Sequence, residues 1–361
     1  MRSDVSDFLP LFLNDIPLLD VRAPVEFAKG SFPGTVNLPL LNDEERHAVG
    51  TMYKAEGQDA AVRLGRQLVS GNVKSQRVAQ WLDFAKRHPE GCLFCFRGGM
   101  RSHIVQQWMV EAGTPYPLVK GGYKALRRFL IEALDNLAAT KNFIVIGGQT
   151  GIGKTLVIRE MKNSVDIEQL ANHRGSTFGR RLTPQPGQID FENALAVRLL
   201  KLFHASDKPI FIEDEGRLVG RCAMPPSLLA GLNRWPVVIL EEPLESRISN
   251  VQKDYITDLL AEYQAAYGEG GFPKFAAFLK DRLHHIRKRL GGLQYEKIAS
   301  LMDSALAVQK ETQDESLHRV WIEELLLRYY DPMYEYQLSH KEGRVVFRGN
   351  RAEVLDWCRR Q

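Results

Sequence analysis

The sequence predicts an α/β protein of two parallel-sheet domains, the second carrying helical C-terminal additions. Three observations predict it. Short apolar strands alternate with helical periods in the first third of the chain. A cysteine-led Gly/Arg loop then joins a strand to a helix, and a complete G-x-x-x-x-G-K-[ST] phosphate loop follows a second apolar strand. The 361 residues suffice for two domains, drawn here as 1–135 and 136–361. An apolar fraction of 44% and a charged fraction of 25% are those of a globular chain, which excludes wholesale disorder. No apolar run approaches the roughly 20 residues that cross a bilayer, so no membrane partner is expected. The N-terminal stretch Met1–Asp7 lacks the basic and apolar regions of a secretory signal. Four sparse cysteines fit free thiols in a reducing cytoplasm better than a disulfide framework. The net charge is only +4, so nucleic-acid affinity must come from a local patch.

In the first domain, Leu18–Arg22 reads as a strand and Pro24 as the first turn of a helix. Gly30–Pro39 gives a turn, a brief strand and another turn. Helical periods follow over Gln76–Arg87, Ser102–Ala112 and Lys124–Leu134, with a strand at Cys92–Phe96. Cys95 therefore leaves a strand and enters a helix through Phe96-Arg97-Gly98-Gly99-Met100-Arg101. Backbone N–H groups in such a turn form an anion nest. That field, with Arg97 or Arg101, favours a thiolate on Cys95 and would stabilise a persulfide or selenopersulfide there. Gly98 and Gly99 let the loop curl tightly. Cys92, three residues upstream on the strand, reads as core.

The second domain opens on the strand Asn142–Ile146, followed by Gly148, Gln149, Thr150, Gly151, Ile152, Gly153, Lys154 and Thr155, then a helix from Thr155 to Met161. Strand, loop and helix in this order are the context the motif requires. The loop amides cradle phosphates, Lys154 reaches a terminal phosphate and Thr155 can hold Mg²⁺. The strand Pro209–Glu215 ends in Glu213 and Asp214, either a second Mg²⁺ contact or a solvated acidic end. A further strand covers Pro236–Glu242, and Arg247 beyond it faces either phosphates or a surface partner. Asn172, His173 and Arg174 lie in a Gly-punctuated polar loop suited to substrate or nucleic acid. Lys280–Gly292 reads as a helix presenting Arg282, Arg287, Lys288 and Arg289 to a phosphate backbone while Leu283, Ile286 and Leu290 pack inward. Arg344 and Arg348 form a second basic candidate.

Asp20-Val21-Arg22, Glu26-Phe27, Pro33-Gly34-Thr35-Val36-Asn37 and Gly121-Gly122, with Cys95 in the nucleophile position, resemble a rhodanese domain over residues 12–135. Five residues separate Cys95 from Arg101, one more than in many single-domain sulfurtransferases. That spacing equals the C-x₅-R of cysteine phosphatases, so loop length leaves phosphatase and chalcogen transfer both open. Together with the P-loop NTPase-like second domain and Ala171-Asn172-His173-Arg174-Gly175-Ser176, the whole chain resembles the tRNA 2-selenouridine synthases. The resemblance implies a transferase that acts on the anticodon wobble 2-thiouridine of tRNA. It implies selenophosphate and geranyl diphosphate as co-substrates, no bound prosthetic group, and the selenophosphate-producing enzyme as a candidate partner. Geranylation makes the sulfur a good leaving group that selenium can displace. Geranyl diphosphate is expected at the phosphate loop and selenium at Cys95, with selenophosphate or a nucleotide at the phosphate loop the alternatives, and Mg²⁺ a candidate cofactor of unknown ligands. Two rival readings are an ATP-dependent kinase or ATPase carrying a rhodanese-like phosphatase or sulfurtransferase domain, and a non-catalytic tRNA-binding or sulfide-sensing module.

Overall fold

Residues 2–361 are described in the computed structural model, and they separate into two units. The first runs to Leu137 and adds Gly187–Ala205; the second comprises Ala138–Pro186 and Ser206–Gln361. The predicted mixed α/β architecture with parallel sheets is what the chain forms.

In the first unit, β1 (Leu18–Asp20) lies between β2 (Val36–Asn37) and β3 (Cys92–Phe94), all parallel, with Leu19 opposite Val36 and Leu93. Every residue of β1 and β3 is buried, as a parallel strand covered on both faces requires. Leu19, Trp81, Phe84, Leu93, Val105 and Met109 form the core. Cys95 emerges just past the C-terminal end of β3, the edge where open α/β sheets place their ligands. The observed helices Gly71–Arg87 and Gly122–Thr140 extend those expected by several residues, and Met100–Glu111 starts two residues earlier and ends one residue sooner than expected.

Two long helices of this unit were not read from the sequence. One is the long helix Asp43–Leu68, which starts on a capping box between Asn42 and Glu45 and breaks at Gly57, where φ is 84°. The other is the helix Gln188–Ala205, drawn at the sequence level inside the second domain. Its residues belong by contact to the first unit. Arg127 donates to Asn193 Oδ1 at 2.7 Å and pairs with Glu192, and the Ser31 amide donates to Asp190 at 2.7 Å.

The second unit is built on five parallel strands: β4 (Phe143–Gly147), β5 (Ser164–Val165), β6 (Ile210–Glu213), β9 (Val237–Leu240) and β10 (Val345–Gly349), with a small hairpin β7 (Leu218–Val219) and β8 (Cys222–Ala223) outside the sheet. The spatial order is β10-β9-β4-β6-β5. The central position of β4 explains its fully buried apolar run. Between β9 and β10 the chain makes the helical additions, whose own core includes Phe275, Leu279, Ile298, Met302, Trp321 and Leu325. No helix among the described residues is long and apolar enough to cross a membrane.

Candidate functional site

Cys95 is buried at the base of the first unit's loop. Its Sγ lies 3.2 Å from Ser102 Oγ and 3.9 Å from the Gly99 carbonyl. The Tyr123 amide donates to the Cys95 carbonyl at 2.9 Å, and the Lys124 amide to the Phe96 carbonyl at 3.0 Å. Gly122 makes this docking possible. It has φ +58°, and a Cβ there would sit 2.2 Å from the Cys95 carbonyl oxygen and 2.5 Å from the Gly98 amide. Arg101 does not point a free guanidinium at the thiol: it grips Glu26 through both ends. Burial alone would raise the Glu26 pKa, but the hydrogen bonds and charge of Arg101 bring it below the usual carboxylate range. Arg97 is exposed over the Phe96 ring. Cys92 is wholly buried and burial pushes its thiol up to about 12, so it is the inert member of the pair. All four cysteines are free. Beside Cys95 opens a pocket of about 690 Å³, walled by the helices Asp43–Leu68 and Met100–Glu111. No local sequence pattern announces this pocket, because its walls come from helices far apart in the chain.

In the second unit the phosphate loop joins β4 to the helix Lys154–Glu160. Gly151 has φ +76°, and a Cβ on it would meet the Arg247 carbonyl at 2.8 Å, so the loop can close only on glycine. Lys154 Nζ donates to the Gly148 carbonyl at 3.0 Å, which keeps the ammonium at the loop. Thr155 Oγ1 donates toward Glu213 at 3.0 Å and Glu168 at 3.1 Å. Glu213 also accepts the Ile167 amide at 2.9 Å. Burial raises the pKa of Glu168, Glu213 and Glu215, and the Glu168 charge adds to the rise at the other two; Glu215 reaches about 8. The close carboxylates and their burial therefore both favour the less charged forms behind the loop. Among the described residues no three His, Cys, Asp or Glu side chains are arranged as a metal site. Thr155 and Glu213 nevertheless supply the hard oxygen donors that suit Mg²⁺, an ion that completes its shell with water and substrate phosphates. Asp214, the other acidic candidate, faces elsewhere: Lys341 pairs with it at 2.6 Å.

Residues 141–361 match the family model for the tRNA 2-selenouridine synthase AAA domain. Proteins described as tRNA 2-selenouridine synthase are similar over nearly the whole chain. The protein from Marinobacter nauticus is 54% identical, covering 99% of this chain and 98% of that one. The one from Pseudomonas fluorescens is 52% identical, covering 100% and 99%. The one from Bordetella bronchiseptica is 52% identical, covering 99% and 98%. The chain belongs to the tRNA 2-selenouridine synthase family. It is an enzyme of the transferase class.

In this family member several polar residues expected at an open surface turn inward. Asn172, at φ 50°, spends its amide on Thr183 and Pro184. His173 is buried, and its pKa falls to about 4 through burial and the charges of Arg181, Arg282 and Arg180. Arg174 pairs with Glu262 at 3.2 Å. A loop held this way positions the fold around it more than it displays edges to a base. The basic segment also differs from one continuous helix. It breaks at Ile286 between the helices Gly271–His285 and Arg287–Leu290. Leu283 and Ile286 are buried and Leu290 packs against the helical core, as expected. Arg282 pairs with Asp281, leaving Arg287, Lys288 and Arg289 as the exposed cations. Arg344 donates to the carbonyls of Leu232 and Trp235, and Arg348 pairs with Glu342 and Glu241, so that second basic candidate serves the fold.

Arg247 is neither a phosphate contact nor a surface pair. It is buried, paired with Asp331, and donates to the Thr150 carbonyl at 3.1 Å. Sequence reasoning missed Asp331, Glu168 and Glu26 as site residues. Asp331 lies 84 positions from Arg247, and no local pattern announces the pairing.

Proposed function

We propose that this chain converts the wobble 2-thiouridine of tRNA to 2-selenouridine, using its two sites for successive steps. The observation that carries the reading is a loop-framed thiol beside a large pocket, on one chain with a complete phosphate loop, in a member of this family. The phosphate loop holds geranyl diphosphate. The thiocarbonyl sulfur attacks the first carbon of the geranyl group as its bond to the diphosphate oxygen breaks. Loop amides and Lys154 take up the leaving diphosphate's charge; Thr155 and Glu213 would hold Mg²⁺, which would supply further charge stabilisation there. Beside Cys95, the selenium of selenophosphate attacks C2, the S-geranyl group departs as a thiol with a proton, and water then cleaves the Se–P bond and releases phosphate. Arg97, Gly98, Gly99 and Arg101 shape the loop that receives the donor, Arg101 by anchoring it to Glu26. Free cysteines suit a reducing cytoplasm, where we place the reaction, with the selenophosphate-producing enzyme as supplier.

Mass analysis of wobble nucleosides tests this, after treating 2-thiouridine tRNA with the enzyme, geranyl diphosphate and selenophosphate. Cys95→Ser is expected to block selenation and keep geranylation. Lys154→Ala is expected to slow geranylation by about 10²–10³, the usual cost of losing one charge-stabilising donor, while sparing selenation of pre-geranylated tRNA. Rapid ATP hydrolysis without tRNA, and no modified nucleoside, would replace this reading with the kinase or ATPase one.

A further inference from the structure

Selenophosphate is a compact dianion, yet the pocket that meets Cys95 is neither compact nor mainly polar. Its volume of about 690 Å³ lies within the roughly 300–1,000 Å³ of sites for drug-sized organic ligands. Three separate elements give it apolar walls: Leu40 and Leu41 from the loop after β2, Ala61 and Val62 from the helix Asp43–Leu68, and Ile104 and Trp108 from the helix Met100–Glu111. Its mouth exposes Tyr53, Phe96 and Met100 at 57%, 37% and 43%. Large apolar side chains left open around a cavity mark a ligand surface. Arg46, Lys54, Arg66 and Arg97 also line it. The pocket thus joins an apolar interior, aromatic rings, cations and a thiol.

We propose that it is the subsite for the apolar chain of the S-prenylated nucleotide. The prenyl chain fills the space between the helices Asp43–Leu68 and Met100–Glu111, which brings C2 of the base to Cys95. The exposed ring of Tyr53 offers a face for an unstacked base, and the cations suit the flanking tRNA phosphates. Each buried methylene adds about four-fold in affinity, so chain length is the property such a wall selects. The inference rests on the proposed S-alkylated intermediate and assigns it a place.

Gly65 supplies the test. It lines the pocket from within a helix, and a Cβ on it would meet only Val49 Cγ2, at 3.7 Å. Gly65→Ala is therefore accommodated, whereas Gly65→Leu projects into the cavity, and circular dichroism and melting temperature show that each variant is folded. The substrates are tRNAs whose wobble sulfur carries methyl, dimethylallyl or geranyl. With wild type and Gly65→Ala, kcat/KM for selenation should rise at least ten-fold from methyl to geranyl; with Gly65→Leu the rise should vanish. Calorimetry with the free S-geranyl and S-methyl 2-thiouridine nucleosides should show the same ten-fold preference and the same loss. Equal handling of methyl and geranyl by wild type in both assays overturns the subsite and leaves the proposed function standing. A preference that survives Gly65→Leu places the chain elsewhere and overturns the assignment. Absence of selenation with all three tRNAs removes the proposed reaction, while the calorimetric preference still decides whether the pocket binds the chain.

Discussion

Arg247 braces the phosphate loop, since its guanidinium both meets Asp331 and holds the Thr150 carbonyl. Breaking a buried pair strands a charge, so Asp331→Ala should destabilise the protein by roughly 3–5 kcal/mol. The double variant Arg247→Met with Asp331→Leu should recover most of that loss in urea unfolding, because no charge is then left unpaired. It should not recover the hold on Thr150, and calorimetry with inorganic diphosphate is expected to stay weak. Full recovery of both would make the pair a packing device alone. His318 is a second residue with a readable consequence. Wholly buried, it accepts the Trp321 indole N–H at Nδ1 and meets Gln309 Oε1 through Nε2, both at 2.9 Å, a pattern only the neutral ring satisfies. Burial lowers its pKa from 6.5 to about 4. The unfolded chain takes up this proton before the folded one does, so the neutral ring's stabilisation is intact above pH 6.5 and lost as pH falls toward 4. The full loss is about 3 kcal/mol by linkage. His173, depressed to about 4 as well, adds to the same window. Urea midpoints between pH 7 and 4.5 should fall less steeply in His318→Gln than in wild type; equal slopes would remove His318 from the account.

At the scale of elements, the short helix Arg287–Leu290 carries the docking prediction that survives. Arg287, Lys288 and Arg289 are exposed, while Arg282 has an acidic partner and Arg344 and Arg348 are engaged within the fold. Replacing Arg287 and Arg289 with Ala should weaken tRNA binding and lower the slope of log K against log salt by about 1–2 units, from two lost phosphate contacts. The choice of base modified should not change. A slope equal to that of wild type would show that this helix face is only solvated. The break at Ile286 matters here, because it turns the three cations onto their own short element while Ile286 itself remains in the helical core.

For the whole molecule, the chain path sets the divisions that matter. The helix Gln188–Ala205 belongs to the first unit and carries nine buried residues, among them Phe191, Leu195 and Leu199. A fragment of residues 1–135 therefore lacks part of its own fold. It is expected to melt about 10 °C or more below a fusion of residues 1–137 to 187–205, since each kcal/mol lost moves a domain of this size by about 2–4 °C. Equal melting temperatures would show that the helix is dispensable. The same lesson applies to legibility. Strands β1, β3, β4, β6 and β9 could be read because a buried parallel strand is a continuous apolar run bounded by turn residues. The helix Asp43–Leu68 could not, because its mean sequence is polar and only Ala60 and Ala61 are buried.

The sequence by itself determined where Cys95 and the phosphate loop stand, since a strand, a glycine-bearing turn and a helix are local instructions encoded within a dozen residues. It also determined the family, through motifs in a fixed order along nearly the entire chain. Tertiary structure alone decided which charges are spent and which are free. Arg101 meets Glu26 across 75 positions, Lys341 meets Asp214 across 127, and the pocket at Cys95 is walled by helices far apart in the chain. The physical reason is that burial and Coulomb partnership depend on distance in space, whereas sequence patterns record only distance along the chain.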